Sequence, residues 1–207
     1  VYYGALTEPL ACVTRSVRRV YLEAGDTAVI IGAGLMGLLF LKALKLRGIK
    51  TVVVQRSAYR RQLAAKMGAD LVVDPLSSDW VEVVNEYTKG QGAQAVFYTA
   101  GGAQVLNRCL KAASIGGYVL IYAPLHLSAG VLDADEIHYR ELVVLGSIRH
   151  DKESFREAAA LIGEGRIDLS DLSLQFGSFL DFEEAMKQAA ENREIHRVLL
   201  TWEKTLT

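Results

Sequence analysis

Three glycines at a fixed spacing, Gly32, Gly34 and Gly37, sit in the stretch Gly32-Ala33-Gly34-Leu35-Met36-Gly37. This spacing suits a chain that must leave a strand, approach an anion and begin a helix within one turn. The setting fits: the apolar run "TAVIIG" at 27–32 leads in and a helical pattern follows. Gly32 permits the tight turn, Gly34 keeps a Cβ away from a diphosphate, and Gly37 lets the helix pack closely on the strand. Leu35 and Met36 open that helix, where free amides and the positive end of the helix dipole hold an anion. The expected chemistry is therefore noncovalent capture of a dinucleotide by its linked phosphates. The alternative is a degenerate turn whose glycines are structural only.

A second cluster lies at the end of "TVVVQ" (51–55). Gln55 is 18 residues beyond Gly37, where an NAD site ordinarily carries an acid that accepts hydrogen bonds from both ribose hydroxyls. Here the acid is absent. A carboxylate would repel a 2′-phosphate, whereas Arg56 can pair with one bidentately and Ser57 can donate a further hydrogen bond. Of Arg60 and Arg61, one is expected over the adenine or the phosphate and the other toward solvent. The predicted cofactor is NADP(H), with NAD(H) as the alternative if the arginines are merely solvated.

Positioning these residues requires a sheet. Six short apolar runs, at 27–32, 51–55, 70–74, 94–99, 118–123 and 141–147, are nearly continuous rather than alternating, as strands covered on both faces are. Helical patterns separate them. The first helix runs to about Arg47 with Gly48 as its left-handed cap, and Gly68 ends the second in the same way. Asp79 precedes Glu82 at capping-box spacing, and a fourth helix from about Ala103 stops at Gly116-Gly117. Right-handed crossovers then give an α/β, doubly wound, six-stranded parallel Rossmann sheet. Two segments stand outside the alternation: a helix near Pro9 in residues 1–22, and, after a helix at about 152–163, a tail reading strand, helix capped by Asp181, strand. The expected organisation is 1–22 as a linking helix segment, 23–167 as the dinucleotide-binding domain, and 168–207 as a return segment.

Bulk properties exclude several classes. Hydrophobic residues make up 51% and the net charge is -1, so no basic excess points to nucleic acid, and Arg15, Arg18 and Arg19 read as a solvated helix face. The apolar stretch "GLMGLLFLKALKL" is interrupted by Lys42 and Lys45 and falls short of the roughly 20 residues of a membrane span. Cys12 and Cys109 lack metal-ligand spacing, which suits a reducing cytoplasm. His126, His138, His150 and His196 are scattered and read as structural. The start at Val1 rather than Met suggests residues missing upstream.

"EPLACV" at 8–13, "AGDTAVIIGAGLMG" at 24–37, "MGADLVVDP" at 67–75 and "ELVVLGS" at 141–147 resemble, in order and spacing, the medium-chain dehydrogenase/reductase family. The likeness is to its zinc-dependent branch of sorbitol, threonine and sugar-alcohol dehydrogenases. The resemblance implies a coenzyme domain inserted in a GroES-like catalytic domain, of which this chain carries only flanking pieces. It implies that Glu8 borders or ligates zinc in the complete enzyme, and that no catalytic residue lies in this segment. It further implies that Ala100, Ala123 and Ser147, in turns at strand ends, run beside the nicotinamide half. Gln94, Tyr98 and Gln175 depart from the family's common acidic or histidine residues and weaken inference about substrate.

The expected function is that of the coenzyme-binding domain of a zinc-type alcohol or polyol dehydrogenase, inactive alone. An alcohol or sugar substrate would reach it through the missing domain, and the apolar sixth strand at a sheet edge predicts a homodimer. The rival is a non-catalytic dinucleotide sensor or scaffold. A methyltransferase also has a glycine turn, but needs an acid near the tip of the second strand, and Gln55 argues against it.

Overall fold

The computed structural model describes residues 2–125, 132–192 and 194–201; Val1, His126 and Trp202 lie outside them. A 3-10 turn at Tyr2–Leu6 leads into α1, Thr7–Arg18. The chain then alternates β1 (Thr27–Ile31), α2 (Leu35–Lys45), β2 (Lys50–Val54), α3 (Ala58–Lys66), β3 (Leu71–Val73), α4 (Trp80–Tyr87), β4 (Ala93–Tyr98), α5 (Ala103–Ala112), β5 (Ala113–Ile121), α6 (Ala134–Tyr139), β6 (Val143–Gly146) and α7 (Lys152–Gly163). The six strands pair in parallel in the order β3-β2-β1-β4-β5-β6. The strand order reverses between β1 and β4, and in such sheets a crevice opens there beyond the carboxyl ends of the strands. Ile31 is in register with Val54 on one side and Tyr98 on the other, so three strands end level at that crevice.

β1 is buried at every position, and its alternate residues serve two cores. Ala28 and Ile30 join α1, α2, α3 and α7 through Leu10, Val13, Leu38, Leu44, Ala64 and Leu161. Val29 and Ile31 join α4 and α5 through Trp80, Val84, Leu106 and Leu110. Each fully buried leucine contributes roughly 1.5–3 kcal/mol of burial free energy, so both faces of the sheet are firmly covered. Among the described residues no helix is long and apolar enough to cross a membrane.

Several local expectations are corrected. Asp79 caps α4, but it accepts from the Val81 amide at 2.9 Å rather than closing a box with Glu82, and it also pairs with Arg108. The capping box is at α7, where Asp151 and Ser154 each accept from the other's backbone. α5 ends at Ala112, before Gly116-Gly117, and β5 begins with an irregularity in its pairing to β4. Asp181 makes no capping bond; Ser178 instead accepts from the Leu180 amide. Arg15, Arg18 and Arg19 are more than a solvated face. Arg15 donates to the Ile148 carbonyl and pairs with Asp151, Arg18 pairs with Glu153, and Arg19 donates to the Gly146 carbonyl, tying α1 to β6 and α7. Exposed ion pairs of this kind contribute less than about 1 kcal/mol each.

The tail adds a small two-stranded sheet, with Leu169 and Leu172 buried in the same core as α1 and α2. Among the described residues, β7 (Leu174–Ser178) and β8 (Arg197–Thr201) pair in parallel only with each other, linked by α8 (Phe182–Glu191).

Candidate functional site

The turn after β1 uses its three glycines for three different reasons. Gly32 has φ +98°, a left-handed backbone that L side chains rarely adopt, and its amide donates to the Val54 carbonyl at 2.8 Å. Gly37 lies against the turn itself: an added Cβ would stand 2.0 Å from the Gly32 carbonyl oxygen. Gly34 is different. As N-cap of α2 it has φ −78° and ψ −176°, open to any residue, and the nearest atom to an added Cβ is Arg60 Nη1 at 3.9 Å. Among the described residues nothing requires a glycine there, whereas the close approach of a diphosphate would. The first amides of α2, at Leu35, Met36 and Gly37, have no carbonyl one turn back within the helix. An anion at Gly34 would meet these donors and the positive end of the α2 dipole.

The loop after β4 presses against this turn. Thr99 Oγ1 donates to the Ile31 carbonyl at 2.6 Å, and buried Tyr98 donates its hydroxyl proton to the Gly101 carbonyl. The Ala100 Cβ lies 3.0 Å from where a Gly32 Cβ would be. The next turn follows in step, since the Tyr122 and Ala123 amides both donate to the Tyr98 carbonyl at 3.0 and 3.1 Å. Ser147 donates its amide to Ile121 at 3.1 Å, but its buried hydroxyl is hydrogen-bonded to Ser16 at 2.9 Å and so faces α1. Gln94 accepts from the Thr27 amide at 2.8 Å, and Gln175 is bonded to Gln188. These departures from the resembled family serve the framework.

At the tip of β2, Gln55 Oε1 accepts from the Ser57 amide at 3.0 Å, fixing the turn, and Ser57 Oγ caps α3 by accepting from the Arg60 amide at 3.5 Å. The Ser57 hydroxyl proton remains available to a ligand. Arg56 is exposed. Arg60 extends toward the glycine turn, within 3.9 Å of an added Gly34 Cβ. Arg61, expected toward solvent if Arg60 covers the ligand, is instead half-buried: it donates to the Gln55 carbonyl at 3.0 Å and pairs with Asp74 at 2.9 Å.

Glu8 is exposed at the start of α1, one helical turn from Cys12, whose thiol donates to Glu8 Oε1 at 3.2 Å. Burial and the Glu8 carboxylate push the Cys12 thiol up to about 11, and burial likewise raises the neighbouring Tyr122 phenol. Helical spacing therefore places the Cys12 sulfur beside Glu8. Two donors do not complete a tetrahedral zinc site, and no group of three or more suitable ligands occurs among the described residues. The described residues of this chain thus do not by themselves fit the metal. His138 packs on Tyr139 and His150 on Phe155. His196 Nδ1 accepts from the Ser173 amide at 3.2 Å, and burial with the nearby Arg60 charge pushes its pKa down, favouring the neutral ring.

Residues 36–164 match the zinc-binding dehydrogenase family. The chain is 29% identical over 195 residues to D-arabitol-phosphate dehydrogenase of Enterococcus avium, covering 93% of this chain and 55% of that protein. Among solved structures, 2R,3R-butanediol dehydrogenase from Bacillus subtilis is similar with a TM-score of 0.88 at 28% identity, over 96% of this chain and 57% of that one. A zinc-binding dehydrogenase from Sinorhizobium meliloti 1021, solved bound to NADP, gives a TM-score of 0.84 at 30% identity, over 96% and 58%. The chain spans about half the length of the curated relatives it matches.

Proposed function

Because the chain belongs to the zinc-binding dehydrogenase family, we propose that it is the coenzyme-binding part of an NADP(H)-dependent alcohol or polyol dehydrogenase. The observation that carries this is Gly34, an unstrained glycine at a helix N-terminus where an added Cβ would meet only the far end of Arg60, at 3.9 Å. The diphosphate is assigned to the amides of residues 34–37 and the nicotinamide half to the turns at Ala100 and Ala123, with Ser147 contributing backbone. The 2′-phosphate is assigned to Arg56, Ser57 and Arg60, with Gln55 holding the turn. Absence of a carboxylate on Gln55 and two arginines nearby favour the phosphorylated ribose.

When bound, NADP(H) supplies a nicotinamide carbon that accepts or releases hydride. This chain's residues bind and orient it. We assign residues 23–167 to that task, and residues 1–22 and 168–207 to the connection with the remainder of the enzyme, through which a small alcohol or sugar would arrive. Zinc is assigned to donors beyond this chain, with Glu8 at the border of that site. Free, buried Cys12 and Cys109 suit a reducing compartment, and we assign the protein to the cytoplasm. The partly exposed edge strand β6 supports pairing of two copies; a monomer mass by light scattering at micromolar concentration would remove the dimer.

Fluorescence titration of the chain with NADPH and NADH tests the cofactor assignment. The expected result is tighter NADPH binding without turnover of any alcohol by this segment alone. Equal affinities, or a preference for NADH, reject it.

A further inference from the structure

Two successive carbonyls at the tip of β2, those of Gln55 and Arg56, converge on one guanidinium nitrogen, Arg61 Nη1, at 3.0 and 2.5 Å. The other end of the same guanidinium, Nη2, pairs with Asp74 Oδ2 at 2.9 Å just beyond β3. Asp74 is itself fixed, since its Oδ1 accepts from the Leu76 amide at 3.0 Å. Both side chains of the pair are about one quarter exposed, at 24% each. In a trans peptide the N–H lies opposite the C=O, so carbonyls drawn toward Arg61 turn the amides of Arg56 and Ser57 the other way. The Ser57 amide is then taken by Gln55 Oε1. The Arg56 amide is left on the outer side of the turn, and the residue is exposed.

Charge follows the same division. Asp74 is the carboxylate closest in the network to the β2 tip, separated from its carbonyls by the width of one guanidinium. Uncovered, it would oppose a 2′-phosphate as an acid on β2 does.

We propose that Arg61, locked to Asp74, is a positioning residue that sets the coenzyme preference: it holds the Gln55–Arg56 turn and shields the Asp74 carboxylate, so that the tip meets a phosphorylated ribose with positive charge. The proposal rests on the assignment of the 2′-phosphate to Arg56, Ser57 and Arg60. Arg61 acts through the turn and through Asp74, and need not touch the ligand.

The test measures binding of 2′,5′-ADP and 5′-AMP to the 207-residue chain by calorimetry, for the wild type, Arg61→Met, Arg61→Lys, Asp74→Asn and the double variant Arg61→Met/Asp74→Asn. The ratio of the two affinities is the readout, because general loosening of the fold lowers both together. The wild type should favour 2′,5′-ADP. Arg61→Met should reduce that preference at least tenfold. Arg61→Lys, which keeps the charge but not the two-carbonyl fork, should fall between. Asp74→Asn should retain or raise the preference, and the double variant should recover most of what Arg61→Met loses. A wild type without preference ends the 2′-phosphate assignment and this inference with it. A wild type with preference that Arg61→Met leaves unchanged, or a tenfold fall of preference in Asp74→Asn, overturns the inference alone. So does a double variant no better than Arg61→Met. If Arg61→Met does not fold, the same ratio in Asp74→Asn and Arg61→Lys decides: a tenfold fall in the first, or no fall in the second, overturns the role of Arg61.

Discussion

Replacing Gly37 and Gly34 by alanine, one at a time, separates the demands of the fold from those of the ligand. At Gly37 the new Cβ would stand 2.0 Å from the Gly32 carbonyl oxygen, whereas ordinary contact begins at 3.4 Å, so helix and turn must part by about 1.4 Å. The obstacle is backbone and cannot rotate away. Overpacking of this kind costs roughly 2–3 kcal/mol, or roughly 4–12 °C in melting temperature for a domain of this size. The helix start is displaced with it, so NADPH affinity should fall as well. At Gly34 the nearest atom is the far end of Arg60 at 3.9 Å and the backbone is unstrained. A small loss at the N-cap is offset by a less flexible unfolded chain, leaving a net change within about 1 kcal/mol. The methyl nevertheless occupies the space assigned to the diphosphate, and NADPH affinity should fall at least tenfold, about 1.4 kcal/mol. Thermal denaturation and NADPH fluorescence titration of both variants read the two effects. A Gly37→Ala variant that melts within about 2 °C of wild type, a shift smaller than about 1 kcal/mol produces, would refute the packing role. A Gly34→Ala variant that binds NADPH as the wild type does would refute the ligand's approach to that residue.

Arg56→Ala should weaken NADPH by roughly 1.5–3 kcal/mol, the scale of a hydrogen bond to a charged group, and leave NADH nearly unchanged; parallel titrations check it. Thr99→Val keeps the shape but leaves the Ile31 carbonyl without its 2.6 Å donor, so urea denaturation should register a loss of roughly 1–3 kcal/mol, and an unchanged midpoint would count against this link between the loops. Burial and Glu8 raise the Cys12 thiol from 9.0 to about 11, so between those pH values the folded chain keeps a proton that the unfolded chain gives up. Its contribution to stability is full below pH 9 and declines as pH rises through that window. Glu8→Gln should make the decline in urea midpoint shallower, and an identical profile would remove Glu8 as a cause.

The sheet was legible because its strands are short runs of β-branched residues bounded by turns, and the parallel order followed from their alternation with helices. α6 was not, since Ala134–Tyr139 is short and has no buried residue to mark a stripe; only Asp133, whose side chain caps it through the Glu136 amide, signalled its start. Asp79 misled because the spacing to Glu82 is a local cue, while Arg108, a distant residue, pairs with the carboxylate. The box at α7 has serine rather than Glu or Gln at its third position and escaped the pattern. In the candidate site, the glycine turn and the missing acid at Gln55 were readable from spacing. Which of two adjacent arginines turns inward was not, because it depends on Asp74, which lies beyond the next strand. Thr99 gave no signal at all: a threonine at a strand end is ordinary until the Ile31 carbonyl is seen beneath it. Cys12 stood at helical spacing from Glu8, a contact that the one-turn separation could have suggested.

β1 is bonded along both edges, whereas β7 and β8 each have a single partner. A pair of strands is barely stable in isolation, and here its support comes from α8, with Ala185 packed so closely that a Gly177 Cβ would lie 2.9 Å from it, and from Leu174, which packs against the core around Leu169 and Leu172. Amide deuteration would therefore advance first through 174–178 and 197–201 and reach β1 last, in separate cooperative steps. An early step confined to those two strands would mean that the tail opens and closes on its own schedule while the parallel sheet keeps its shape.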